Sequence, residues 1–398
     1  MPTPDTLTYG PPVLRLRGQP ADALVQALLA LTVIDTDDGL SRCEARFANW
    51  GPTTGGTGYQ FFDWAHLALG DTFTVALTRG TSASDLVFDG FVTALDAAFP
   101  EGAPPTITLL AEDRLQDLRM TRRTRTFTDT TDADAARRIA AEHGLAAVVD
   151  AEGPTHAVLA QTNQSDLAFL RDRARAIDAE VWVAGTVLHV ESRRRRNAGT
   201  VTLAYPKALL ECSAVVDLAR QRTAVVVSGW DPASKTAIRE VADAAAVAAE
   251  TTGGRTGPSV LSATFGARPE ILVHTVPLSV AEARARAEAS MRALAVRFVV
   301  LRGVTALNPS IRVGTALDLT GLGDLFSGRC RVTEVRHTFD GARGWRTEFI
   351  AERPDVGGRS RPSPVPPRRA PVRSGPQARA TRATPTRAAR RTPPRRRS

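Results

Sequence analysis

Two pairs of short segments recur in this chain at one spacing, and no other feature limits its possible folds as tightly. VTAL, Val92 to Leu95, is matched by VTEV, Val332 to Val335, and LLAED, Leu109 to Asp113, is matched by FIAER, Phe349 to Arg353. Both matches lie 240 residues apart, so the connection between the two segments has one length in both copies. Just upstream, LGDTFTVAL resembles VGTALDLTG at a spacing of about 244. Self-similarity at a fixed period marks a repeated structural unit. The expectation is two similar β-barrels in one chain, the second split by a long segment.

The pattern around these segments is that of strands. SRCEARF places Cys43, Ala45 and Phe47 on one face against Arg42, Glu44 and Arg46 on the other, and DTFTVAL does the same with Phe73, Val75 and Leu77. Period two reads as half-buried antiparallel strands, and residues 1–112 form the first β unit, with ADALVQALLAL (21–31) as a short helix at one end. Residues 113–199 change to a small α/β lobe. Thr131 caps a helix through DADAARRIAAEHG with Gly144 at its stop, Ser165 caps a second, and EVWVAGTVLHVES folds back at Gly185. Residues 200–353 return to strands, among them RTAVVVSGW, which ends at the polar corner Gly229–Pro232. They are interrupted at about 239–297 by an Ala-rich helical insertion that contains the Gly/Thr linker TTGGRTGP. Ser279 and Glu282 there form a capping box, and Glu282 and Arg286 an i,i+4 pair. The class is α+β, mainly β.

Charge is distributed unevenly. The chain carries 51 Lys and Arg against 42 Asp and Glu, but 13 of the arginines fall in residues 356–398, with nine prolines and no acid, leaving a body of about −4. A Pro/Arg tail over 354–398 cannot bury enough surface to offset its chain entropy and is expected to be disordered. It could bind an acidic partner, the acidic body of a neighbouring subunit or nucleic acid, the last with affinity falling steeply as salt rises. Three cysteines, Cys43, Cys212 and Cys330, are odd in number and far apart, which excludes a disulfide framework or a CxxC metal site. No apolar run reaches the ~20 residues of a membrane helix, and the N-terminus lacks the pattern of a signal peptide, which points to synthesis in the cytoplasm.

No constellation makes a convincing active site, so no catalytic, cofactor-binding or metal residues are assigned. GTGYQF (56–61) and GLGDLFSG (321–328) miss the spacing of a dinucleotide loop. DTDDG, Asp35 to Gly39, is a turn rather than a calcium loop. His143 ends a helix, where its charge suits the dipole; His337 is a strand residue of structural type; Arg193–Arg196 reads as a solvated loop, with a channel lining as the alternative.

The order DGFVTAL, AED, TRTFTDTTDADAARRIAAEHGL, QTNQSDLAFLRDRARAIDAEVWV, DLARQRTAVVVSGWDPASKTAI, SVAEARARAEA, NPSIRVGTALDLTGLG and SGRCRVTEVRHTFDGARGWRTEF resembles the phage late-control D proteins and the N-terminal part of VgrG, over about residues 10–353. Those proteins are similar to the central hub of the bacteriophage T4 baseplate. The resemblance implies two tandem hub-type β-barrel domains and a non-enzymatic homotrimer that joins a sixfold inner tube to a threefold spike, within a phage tail or contractile injection system. It implies as partners the inner tube protein, a separate spike protein and other baseplate wedge proteins. VgrG continues into a β-helical needle where this chain continues into its Arg/Pro tail, hence the separate spike. The alternatives are a VgrG-like component lacking its needle and, in a different class, a tail-tip cell-wall hydrolase. The resemblance also makes Gly229–Pro232 a strand exit at the edge of the second barrel, with Trp230 as a packing anchor.

Overall fold

In the strand Arg42–Ala48, Cys43, Ala45 and Phe47 are buried and the charged residues that alternate with them, Arg42, Glu44 and Arg46, are exposed. Thr106–Glu112 buries Ile107, Leu109 and Ala111 in the same alternation. These inward residues, with Leu31, Val33, Phe73, Val75 and Leu77, make the first of four apolar cores. The computed structural model describes residues 10–79, 83–273 and 277–357. All lie within one compact unit, Met1–Ser363; the second, Pro364–Ser398, and with it most of the Arg/Pro tail, lies outside the described residues.

The first repeat consists of five strands, Leu28–Thr36, Arg42–Ala48, Thr72–Arg79, Ala83–Ala98 and Thr106–Glu112. The second has Leu209–Val216, Val299–Ala306, Ala316–Thr320, Gly328–Asp340 and Gly344–Arg353. In both the spatial order is first, second, fifth, fourth, third. Register agrees residue for residue: Val92 faces Ala111 as Val332 faces Ala351, and Leu95 faces Leu109 as Val335 faces Phe349. Pairing slips immediately after Val92 and after Val332, and the residues at the slip, Thr93 and Thr333, each place a hydroxyl 3.4 Å from a carbonyl oxygen, of Leu110 and of Ile350. Gly70 N–H donates to Val92 O at 2.8 Å and Gly314 N–H to Val332 O at 2.9 Å. A second irregularity follows Leu28 in one repeat and Leu209 in the other. Bulges are positional features of a fold rather than accidents of packing, so the 240-residue match is a structural duplication.

The two repeats are joined by direct pairing. Past Val332 the fourth strand of the second repeat runs along the first strand of the first, with Glu334 facing Thr36, His337 facing Val33 and Phe339 facing Leu31. One continuous 13-stranded sheet results. The repeats differ in an outer strand, Val13–Leu16 being antiparallel to its neighbour and Thr200–Ala204 parallel.

They differ most in their connections. Between first and second strands the first repeat needs only the turn Asp37–Ser41, whereas the second inserts residues 217–298. The insertion begins earlier than the 239 expected from composition. Ala224–Asp231, expected in the second barrel, pairs instead with Thr236–Asp243 and Pro269–Leu272 in a three-stranded sheet. Val225, Val227 and Ile238 of that sheet pack on Ala283, Ala287 and Met291 of the helix Val280–Ala295. Gly229–Pro232 is therefore the approach to a hairpin tip, where Asp231 Oδ1 accepts from Ala233 and Ser234 N–H. Trp230 is 50% exposed and is not a packing anchor. Gly229 is required because a Cβ there would collide with the Pro277 carbonyl. The segment Thr251–Pro258 is no loose linker: Asp355 accepts from Thr252 and Gly254 N–H at 2.7 and 2.9 Å, and Arg255–Thr256 pairs with Asp355–Val356. Ordered chain thus extends past residue 353, with Asp355 and Val356 buried.

The lobe holds the helices Leu115–Met120, Asp132–Glu142 and Asp166–Ala176 around a core of its own. Thr131 and Ser165 accept from Asp134 and Ala168 N–H, as their sequence positions suggest. The helix expected over 21–31 stops at Ala27, because Leu28–Leu31 is drawn into the first strand of the repeat.

Candidate assembly interface

Among the described residues, the joint between repeats leaves two strand edges without partners. The fourth strand of the first repeat pairs with the third only as far as Phe91, and the far side of residues 94–98 faces no strand. The first strand of the second repeat, Leu209–Val216, has a neighbour only in Val299–Ala306. In the internal joint the corresponding segments pair with each other. Their core-facing residues, Val335, His337, Leu31 and Val33, are buried there, whereas the counterparts Ala97 and Phe99 are exposed and Leu95, Cys212 and Ala214 half-buried. A long strand edge with open N–H and C=O groups is a template for another strand.

Beside the first edge lies an aromatic group. The connection Asn49–Asp71 of the first repeat folds into the hairpin Trp50–Thr53/Gly56–Tyr59, where the second repeat has only the loop 307–315. Asn49 is fully buried at the base of this arm and its Oδ1 accepts from Gln60 and Phe61 N–H at 3.0 and 2.8 Å. Above it Tyr59 meets Trp50 edge-on at 5.3 Å and Phe62 at 4.9 Å, and Phe62 lies 5.3 Å from Phe99. Trp50, Tyr59 and Phe99 remain 47%, 49% and 62% exposed. Sequence reasoning considered only GTGYQF here and missed the aromatics. The available signal was density: residues 47–64 hold six aromatic side chains in a chain that is 6% aromatic.

The sheet's opposite face is wet and of mixed sign, with Arg42, Glu44 and Arg46 in the first repeat and Arg302, Glu334, Arg336 and Glu348 in the second. The Arg193–Arg196 run is only half solvated: Arg194 and Arg195 are exposed, as a loop would have them, and Arg193 and Arg196 are not. Arg193 pairs with Glu250, Arg195 with Asp150, and Arg196 with Glu180 at 3.2 Å while its guanidinium covers Trp182 at 4.4 Å. Glu180 also takes Arg331 of the second repeat at 2.9 Å and Arg196 reaches Asp35 of the first at 3.6 Å, so Arg196 and Arg331 fasten the lobe to the sheet. Burial raises the neighbouring carboxyls Asp37 and Asp178 to about 6.

His143 sits between Asp117 and Asp166, which hold its pKa up against the effect of burial. His337 is buried in the joint, its Nδ1 3.0 Å from Thr347 Oγ1, and burial lowers its pKa to about 3. Burial raises the thiols of Cys43 and Cys330, the latter to about 12. Among the described residues no group of His, Cys, Asp and Glu could hold a metal ion, and no helix is long and apolar enough to cross a membrane.

Solved structures share this fold. The 43 kDa tail protein of the Shewanella oneidensis prophage MuSo2 is 13% identical, aligned over 86% of this chain and 98% of that one, with a TM-score of 0.65. The tail protein from Neisseria meningitidis MC58 is 12% identical over 86% and 97%, with a TM-score of 0.61. A type VI secretion system component from E. coli, itself similar to T4 tail proteins, is 12% identical over 89% and 80%, with a TM-score of 0.54. No curated protein matches the sequence. The family model for the Alg8 N-terminal domain matches residues 63–340, from the connection before the third strand of the first repeat to the end of the fourth strand of the second. The match spans well over half of the sequence, and the chain belongs to the Alg8 N-terminal domain family.

Proposed function

We propose that the protein is a non-catalytic central hub of late-control D/VgrG type, in a phage tail or contractile injection system. Three copies close into a ring of six repeats that receives the sixfold inner tube on one side and a separate threefold spike protein on the other, with wedge proteins around it. One observation carries this reading: the chain contains its own assembly joint. Among the described residues, the pairing that links its second repeat to its first has, at two borders of the same sheet, one free copy of each participating edge.

Carrying the internal register outward gives the contact between chains. Val335–Asp35, His337–Val33 and Phe339–Leu31 become Leu95–Val216, Ala97–Ala214 and Phe99–Cys212 of adjacent copies. Such a joint is head-to-tail, and it ends in a ring when the rotation closes; the resemblance supplies the number three. Each repeat contributes four strands to the wall, so the ring holds about 24 strands, wide enough for a bore of roughly 40 Å between backbones. The insertion and the lobe, present once per chain, keep threefold order. Fold likeness to tail proteins supports the same reading.

Mass photometry of the full chain is expected to give a species three times the chain mass. Ala97→Cys with Ala214→Cys, in a Cys212→Ser background, is expected to cross-link chain to chain. A chain that stays single and uncross-linked at every concentration sinks the proposal. A peptidoglycan-release assay is expected to give no activity.

A further inference from the structure

We infer that the aromatic group on the first repeat is a socket for a second copy of this chain, and that it receives the corner Tyr205–Leu210 leading into that copy's second repeat. The inference rests on the ring reading and names a contact within it that the internal joint lacks.

The internal joint is the guide. There Phe339 faces Leu31, and Trp345 lies 5.1 Å from Phe339 with its Nε1–H donating to Gly10 O at 3.3 Å. Both rings, with Leu307, belong to the first repeat's core together with Leu24, Val25 and Leu28, the residues that lead into its first strand. At the offset of 240, Phe339 corresponds to Phe99, but Trp345 corresponds to Pro105. The first repeat therefore lacks the second ring of the pair. The arm supplies it: Phe62 stands 5.3 Å from Phe99, much as Trp345 stands 5.1 Å from Phe339, and Tyr59 and Trp50 extend the surface.

The receiving side follows from the same register. Residues leading into the first strand of the second repeat are Tyr205–Ala208, with Tyr205 and Leu210 exposed. Phe99 is placed opposite Cys212, so the chain before Cys212 runs under the aromatic group. Tyr205 is held in place, its N–H donating to Thr320 O at 2.9 Å. Ring pairs of this kind add to the burial of large apolar area, and clustered aromatics are the usual high-energy positions of an interface. The arm occurs once per chain, so only the joints between chains carry this seal.

The test is a double-mutant cycle on the full chain, with assembly measured by mass photometry against concentration. Phe99→Ala and Tyr205→Ala are each expected to raise the dissociation concentration on the order of 10-fold or more, with unchanged far-UV circular dichroism, since both side chains are exposed in the single chain. The double variant is expected to lose less than the product of the two. Unchanged assembly in Phe99→Ala, or strictly multiplicative losses, would leave the aromatics to another protein and overturn the socket, while the Ala97→Cys/Ala214→Cys cross-link still forms. Absence of that cross-link removes the ring and the socket together.

Discussion

Asp113 and His337 are buried ionisable groups whose charged forms the fold disfavours, with opposite consequences for pH. Burial raises Asp113 to about 7 although Ser41 and Leu115 N–H both donate to it. The folded chain therefore holds a proton between about pH 4 and 7 that the unfolded chain releases, and stability from this group falls as pH rises through that window. His337, lowered to about 3 by burial, does the reverse: the unfolded chain takes up a proton below about 6.5 and the folded chain does not, so acidification destabilises. Thermal scans at paired pH values separate the two. Relative to Asp113→Asn, the native protein is expected to gain about 2–3 kcal/mol between pH 8 and 5; relative to His337→Leu, it is expected to lose about 2 kcal/mol between pH 7 and 5. Equal slopes in native and variant proteins would contradict these assignments. Sequence reading placed His337 as structural but gave no sign of Asp113, because its burial comes from Ser41 and Leu115 meeting at a strand end 72 residues from one of them.

Among the elements, the arm has the simplest local dependence. Its hairpin is tied to the barrel by the Asn49 amide as well as by Phe61 in the core, and Asn49→Ala is expected to cost about 1–3 kcal/mol by leaving the N–H groups of half-buried Gln60 and buried Phe61 unmet. Hydrogen exchange is expected to quicken across residues 50–61 while Thr106–Glu112 stays protected. At the free edge, Ala97→Glu puts a charge where the internal joint has the buried His337. It is expected to hold the chain as a monomer at unchanged melting temperature, because Ala97 is exposed in the single chain. What was legible at this scale was local. Caps at Thr131, Ser165 and Ser279 act within three residues and were visible directly. Leu28–Leu31 was misread as helix since its fate depends on Phe339, more than 300 residues away. Ala224–Asp231 was misplaced because period two reports a strand without reporting which sheet takes it.

For the whole molecule, the duplication was legible because two equal spacings survived in VTAL/VTEV and LLAED/FIAER, and the structure adds what spacing could not, the shared bulges and the joint between repeats. The second repeat's identity was half hidden by residues 217–298, which separate two strands that adjoin in space. That joint has a final consequence. In the proposed ring each added molecule would hide one border and offer an identical one, so nothing in the pairing itself would tell growth to stop. Curvature alone must bring the last border round to the first. Flattening it, for instance by closing the irregularity at Thr333, is expected to turn finite collars into open fibres, visible by negative-stain microscopy.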